Sequence, residues 1–244
     1  MPAAEAEQLA ELIRNRQPCV VLTGAGVSTE SGIPDFRSAE GIWAQYDPME
    51  VASIWGFERD PEAVWEFYGR RLDVLADAKP NPAHHALAEL ERRGLVAALV
   101  TQNVDTLHEQ AGSGNVVEVH GSIRSASCPR CGTRVRREEV ATRLPVPACE
   151  ACGATLKPDV VMFGEAMPVR ETERAFELAR GAALLLVVGS SLEVYPVAAL
   201  PDETLAAGGA LAIVNHGPTP YDSQATLKID ASAGDLLAAV VEAV

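Results

Sequence analysis

The chain has 244 residues, enough for one large domain or for a domain carrying a smaller insertion, and 20 Lys or Arg against 34 Asp or Glu give a formal charge of −14. That balance argues against general nucleic-acid binding, which needs a basic surface, and favours solubility and basic partners such as lysine-rich peptides. Hydrophobic residues make up 48% of the sequence, no apolar run reaches the ~18 residues of a membrane span, and the acidic start Met-Pro-Ala-Ala-Glu-Ala-Glu, where a signal peptide is basic, predicts a cytoplasmic address.

In chain order, residues 4–16 place Leu9, Leu12 and Ile13 on one helical face. Pro18 to Thr23 reads as a buried strand with Cys19 in the core, and it runs into Gly24-Ala-Gly26. A strand, a glycine turn and a helix start bring backbone N–H groups up to a pyrophosphate. The third glycine of the usual dinucleotide fingerprint is missing, so a plain tight turn is the alternative. Ser31-Gly-Ile-Pro-Asp-Phe-Arg37 goes beyond what pyrophosphate binding requires. Asp47-Pro48, Asp60-Pro61 and Asn81-Pro82 each supply a capping side chain and a proline for the first helical position, which predicts helices over 48–54, 61–77 and 82–93, the last ended by Gly94. Beyond Leu95, apolar runs at 95–100, 116–119, 183–188, 210–214 and 226–229 alternate with helical patterns that include 169–180 and 233–243. Near-continuous apolar strands imply a parallel sheet covered by helices on both faces.

Gly24-Ala-Gly26, Gln102-Asn-Val-Asp105, His120-Gly-Ser122, Gly189-Ser-Ser191 and Asn215-His216 each follow a strand, so five polar motifs share the carboxyl edge where open α/β sheets bind ligands. A dinucleotide-type site follows. His120, at the end of its strand and before a glycine, is placed for proton transfer at that edge. His84 and His85 on a helix, and His108, fall under the default of hydrogen-bonded core histidines.

Cys128-x-x-Cys131 and Cys149-x-x-Cys152, seventeen residues apart and each followed by a glycine (Gly132, Gly153), carry the spacing of a four-thiolate zinc site, closed and therefore structural. A pair of disulfides, which suits an oxidising compartment, and a redox Cys-x-x-Cys, which needs no second copy, are the alternatives. Residues 124–157 hold seven Arg or Lys against three Glu, so the acidic surface lies elsewhere.

Gly24-Ala-Gly26, Gly32-Ile-Pro-Asp-Phe-Arg37, Thr101-Gln-Asn-Val-Asp105, His120-Gly121, the paired Cys-x-x-Cys, Lys157-Pro-Asp-Val-Val-Met-Phe-Gly164 and Gly189-Ser-Ser-Leu192 occur in the order found in the sirtuins, and the resemblance spans nearly the whole chain. It implies an NAD-dependent protein lysine deacylase of α/β fold. A Rossmann-like parallel sheet from residues 1–42, 82–123 and 158–244 would bind NAD. A small lobe would combine a helical module at 43–81 with a zinc module at 124–157. By the same resemblance Gly24, Ala25, Gly26, Ser28, Gly189, Ser190, Ser191 and Asn215 line the phosphates and adenosine, with Ala233 beside the adenine. Ile33, Gln102, Asn103, Val104 and Asp105 surround the nicotinamide ribose, Asp35, Phe36 and Arg37 belong to a loop over it, and Asn103, Asp105 and the general base His120 carry the chemistry. In that family the acyl oxygen displaces nicotinamide to give an alkylamidate, a base then activates a ribose hydroxyl, and free lysine and O-acyl-ADP-ribose result.

The resemblance also implies an acyl-lysine segment held as an extended strand between Asp159–Phe163 and Ser191–Tyr195, with Val160, Phe163 and Glu193 beside it. Tyr68 and Arg71, three apart on one helix face, match the pair with which class III sirtuins recognise succinyl and other acidic acyl chains, and Ala52 matches a small residue of that class. Surface residues of an amphipathic helix are the plainer reading of that pair, with Arg70 beside them. Gly189-Ser-Ser replaces the commoner Gly-Thr-Ser, and Asn215-His-Gly217 lacks an acid that some relatives carry near the adenosine. A non-catalytic NAD or ADP-ribose sensor and a mono-ADP-ribosyltransferase are the competing functions.

Overall fold

A computed structural model describes residues 2–244; Met1, the first residue of the expected 1–42 segment, lies outside the described residues. The elements run α1 (Pro2–Asn15), β1 (Cys19–Thr23), α2 (Pro48–Val51), α3 (Ile54–Arg59), α4 (Pro61–Asp77), α5 (Pro82–Arg92), β2 (Ala98–Thr101), α6 (Leu107–Gln110), β3 (Val116–Glu118), β4 (Gly121–Ser127), β5 (Arg134–Arg136), α7 (Arg137–Ala141), β6 (Lys157–Val160), α8 (Val169–Gly181), β7 (Leu184–Val188), α9 (Leu200–Ala206), β8 (Ala210–Val214), β9 (Leu227–Ile229) and α10 (Ala233–Ala243).

Six strands form one parallel sheet in the order β3-β2-β1-β7-β8-β9. Side chains alternate across it, as strand geometry requires. Cys19 and Val21 of β1 join Leu9 and Ile13 of α1, Leu87 and Leu90 of α5 and Leu237 and Val240 of α10 on one face. Val20 and Leu22 join Ala175 and Ala179 of α8 and Leu200 of α9 on the other. Every residue of β1, β7 and β8 is buried, which explains sequences apolar at every position but Thr23. The chain leaves β1 outward through β2 and β3 and returns to its other side as β7. The topological switch point, where such sheets open a crevice, therefore lies between β1 and β7.

The small lobe has its own core. Val64, Trp65 and Leu72 of α4 pack with Ile123 and Ala126 of β4, Val135 of β5, Val140 of α7 and Leu156, and Trp65 Nε1–H donates to the Leu156 carbonyl at 2.7 Å. The helical insertion and the cysteine module are thus one packed unit. Its three-stranded antiparallel sheet, β5-β4-β6, has no counterpart in the sequence reading, because strands of three to seven residues rich in Ser and Arg carry little apolar signal.

The three expected caps form: Asp47, Asp60 and Asn81 accept from Met49, Ala63, and Ala83 with His84 respectively. The single helix expected over 48–54 is a correction. It breaks at Ala52, and Ser53 restarts α3 by accepting from Gly56 N–H at 2.9 Å. The expected strand from Leu95 begins only at Ala98, because Gly94 (φ +74°) ends α5 in a left-handed turn and the N–H groups of Leu95 and Val96 both reach back to Leu90 O. His85 is exposed, one position and so about 100° around α5 from the buried His84.

Candidate active site

The loops after β1 and β7 interlock. Gly24 N–H donates to Val188 O at 3.1 Å and Gly26 N–H to Gly189 O at 2.9 Å. A Cβ on Gly26 would sit 2.8 Å from Gly189 Cα, and one on Gly24 2.7 Å from Gly189 O, so both glycines are demanded by loop-on-loop packing. A seven-residue 3-10 helix, Ala25–Ser31, follows and ends at Gly32 in the left-handed region. Over this floor opens a cleft of about 1130 Å³.

All the expected cofactor, catalytic and substrate positions line that one cleft. They come from the β1 and β7 loops, from the segment 33–37, from Gln102–Asp105 after β2, from His120 after β3, from Ala52, Tyr68 and Arg71 of the helical insertion, from Val160 and Phe163, and from Glu193, Asn215 and Ala233. They span 210 positions of sequence, and the strand ends are what gather them.

A chain of polar groups fixes the floor. Asn81 N–H donates to His84 Nδ1 at 3.2 Å, which leaves the His84 proton on Nε2, 3.4 Å from Ser28 Oγ. Ser28 O–H then donates to Asp105 Oδ2 at 2.7 Å, while Asn103 Nδ2–H donates to Ser28 Oγ at 3.1 Å and to Gly24 O at 3.1 Å. Asp105 Oδ1 accepts from Leu107 N–H at 3.0 Å. His108, its ring centroid 4.8 Å from that of His84, bonds through Nε2 to Thr23 Oγ1 at 3.0 Å. Sequence reasoning left His84 as a core histidine; its part in holding Ser28 was legible only in the Asn81-x-x-His84 capping box.

Burial, reinforced by the neighbouring His85, pushes His84 down to about 4, and burial with the His84 charge pushes His108 to about 3. Both are neutral at pH 7, whereas in the unfolded chain each titrates near 6.5. The unfolded state therefore binds more protons as pH falls below 6.5, and stability is lost from there down to the folded values. Asp105, raised by burial, works in the opposite sense above 3.8. The histidines set the net direction, a loss of stability between pH 7 and 5 on the order of a few kcal/mol. Thermal unfolding across that range checks it, and a His84→Asn/His108→Asn variant with an equally steep pH dependence would refute the assignment.

His120 stands at the cleft wall with Nδ1 3.1 Å from the Gln102 carbonyl. A carbonyl only accepts, so Nδ1 carries the proton and Nε2 is left as a bare acceptor. Burial lowers its pKa, which keeps this base unprotonated at neutral pH.

Tyr68 is buried (6% exposed), and burial pushes its phenol up to about 12, so it is an O–H donor at neutral pH. Arg71 is turned into the cleft, its guanidinium 5.0 Å from the Phe36 ring centroid and 5.5 Å from that of Phe67. Arg70, by contrast, is exposed and pairs with Glu66 at 2.6 Å. The surface reading of Tyr68 and Arg71 does not hold. Arg37 of the 33–37 segment pairs across the cleft with Glu193 at 3.1 Å.

The four cysteines of the module converge, their sulfurs all within 4.8 Å of one another. Cys128–Cys152, Cys131–Cys149 and Cys131–Cys152 separations are 3.5, 3.6 and 3.6 Å. A tetrahedron of Zn–S bonds of about 2.3 Å has edges of about 3.8 Å, so the set fits one zinc ion, and no disulfide joins any pair.

The sequence model of the Sir2 family matches residues 24–196. The chain belongs to the Sir2 family. An NAD-dependent protein deacetylase of Sulfolobus acidocaldarius is 48% identical over 92% of this chain and 89% of its own length. NAD-dependent protein deacylase 2 of Archaeoglobus fulgidus is 46% identical over 98% of this chain and 96% of its own. Among solved structures, a Sir2 variant with a deacetylated p53 peptide and 3′-O-acetyl ADP ribose superposes with a TM-score of 0.95, at 41% identity and 98% coverage of both chains. In Sir2-family terms, the parallel sheet with helices on both faces is the Rossmann-like part and the four-cysteine cluster the zinc site. Among the described residues no helix is long and apolar enough to cross a membrane.

Proposed function

We propose that this chain is an NAD-dependent protein-lysine deacylase that removes acetyl groups and also acidic acyl groups, succinyl and malonyl. The observation that carries the acidic preference is Arg71. It lines an apolar part of the cleft beside Tyr68, Phe36 and Phe67, and among the described residues it makes no ion pair and no hydrogen bond. Asp105 acts on this guanidinium only at a distance, without direct contact, and a carboxylate at the end of an acyl chain would give it the direct partner it lacks through a forked pair of charge-assisted bonds, with the Tyr68 hydroxyl as a further donor.

In this reading residues 1–42, 82–123 and 158–244 form the NAD-binding unit, and 43–81 with 124–157 the small lobe. NAD supplies the electrophilic ribose carbon and the leaving nicotinamide. Ala25, Gly26, Ser190, Ser191 and Asn215 hold its phosphates and adenosine, and Ile33, Gln102, Asn103 and Asp105 the nicotinamide end. Asp35, Phe36 and Arg37 exclude water over the reacting atoms, which matters because a cationic transition state must not be trapped by solvent. His120 Nε2 accepts the proton of a ribose hydroxyl. The peptide lies as an extended strand between Asp159–Phe163 and Ser191–Tyr195, held by main-chain bonds that tolerate many sequences, with Val160 and Phe163 walling the acyl-lysine.

Product mass after incubation with NAD and two otherwise identical peptides, acetyl-lysine and succinyl-lysine, tests the reading. The expected outcome is loss of either acyl group with the parent protein, and a fall of about 100-fold in kcat/KM for succinyl in Tyr68→Phe/Arg71→Met, about 3 kcal/mol of lost charge-assisted bonding, with a much smaller change for acetyl. Equal falls for both peptides would remove the acyl-selector role. A peptide that gains ADP-ribose instead of losing its acyl group would replace deacylation with ADP-ribosyl transfer.

A further inference from the structure

The chain has twelve aromatic residues, five Phe, three Trp and four Tyr. Among those of the described residues, only Trp55, Phe163 and Tyr195 are exposed, at 55%, 39% and 68%. Phe163 and Tyr195 line the mouth of the cleft, on the two segments between which the peptide is read to lie. Trp55 stands directly behind the first of these. Ser53 and Phe163 form a parallel bridge, with Ile54 N–H donating to Phe163 O at 3.0 Å and Phe163 N–H to Ala52 O at 2.9 Å. One residue past Ile54 and one past Phe163, the Trp55 indole lies on Gly164, where a Cβ would lie 2.5 Å from Trp55 Cη2. Gly164 lacks a side chain and the indole covers its place, so the exposed Trp55 ring adjoins the cleft wall at Gly164. Among the described residues the N–H and C=O of Gly164 have no hydrogen-bond partner, which leaves them free for an incoming strand.

An exposed indole contributes nothing to the fold that a smaller polar residue would not, and exposed aromatic surface beside a binding cleft marks a contact surface. We propose that Trp55 forms a subsite for a large apolar side chain flanking the acyl-lysine of the substrate peptide. The inference rests on the deacylase reading of the cleft. A strand laid along Gly164 projects a side chain toward the ring that covers that glycine. The guest is apolar because it meets the exposed Trp55 indole beside Gly164, while Glu165, the next residue, is already paired with Lys157 at 3.1 Å. Main-chain pairing makes the cleft tolerant of sequence; Trp55 adds the preference.

The test uses acyl-lysine peptides carrying Gly, Phe, Arg or Glu at each of the two positions on either side of the lysine, with kcat/KM measured for the parent, Trp55→Ser and Trp55→Phe. At one flanking position the parent should prefer Phe over Gly by about tenfold, the worth of one side chain taken out of water. Trp55→Ser should bring that ratio near one, and Trp55→Phe should keep part of it. The proposal is overturned by a ratio unchanged in Trp55→Ser, by equal loss on every peptide, or by a parent that prefers Arg over Phe there, which would make the ring a cation site. Removal of the acyl group with no flanking preference sinks the subsite and leaves the deacylase reading standing. Failure to remove it from any peptide sinks the reading itself.

Discussion

Replacing His120 with alanine is expected to lower kcat for acyl removal by 10²–10⁴-fold, the usual worth of a positioned general base, while release of nicotinamide from NAD in the presence of acyl-peptide continues. The split follows from where the base acts. In the proposed mechanism nicotinamide leaves before a ribose hydroxyl must lose its proton, and only the second event would call on His120 Nε2. The Gln102 carbonyl holds the Nδ1 proton, so the basic nitrogen points away from it with no tautomeric ambiguity. Because burial lowers the His120 pKa, kcat/KM of the parent should hold below pH 6.5 and fall only at more acid pH, as the imidazole finally protonates. Measured product mass, nicotinamide release and a pH profile check this together. A variant that loses both steps equally would move His120 from the proton transfer to cofactor binding.

Removing zinc, by a strong chelator or by Cys149→Ser, is expected to unfold the small lobe, with at least about 5 kcal/mol lost and some 10–20 °C in Tm. Cys128 and Cys149 are buried in the same core as Trp65, Val135, Val140 and Leu156. Once the ion is gone the thiolates take up protons, nothing holds the four sulfurs within 4.8 Å of one another, and that core opens. The damage reaches the cleft through covalent continuity: Leu156, which accepts from Trp65, runs directly into β6, whose last residue is Val160. Activity and folded structure should therefore vanish together. Metal analysis below one zinc per chain with an unchanged Tm would contradict a structural ion, and lost activity at unchanged Tm would point to a catalytic one.

The fold was legible wherever burial was two-sided. β1, β7 and β8 are apolar at every position but Thr23, because helices cover both sheet faces, and the three Asx-Pro helix starts were written in the capping side chains themselves. The family was legible in motifs whose spacing survives without contacts. Short-range competition was not: Ser53 cutting a helix in two, Gly94 delaying a strand, and the polar strands β4 to β6 are settled by hydrogen bonds that only neighbouring elements provide.

By itself, then, the sequence determined the parallel sheet, the strand ends that carry polar groups, the cysteine quartet and the pairing of Tyr68 with Arg71 on one helical face. Only the tertiary structure decided which way that face looks. Periodicity sets angles around a helix axis but not what the helix lies against, and it is the packing of α4 on the cysteine module that turns Arg71 into the cleft and leaves Arg70 in water. The same holds for His84, made part of the site by Ser28, which lies 56 positions earlier in the chain, and for Trp55, whose exposure beside Gly164 no linear pattern records.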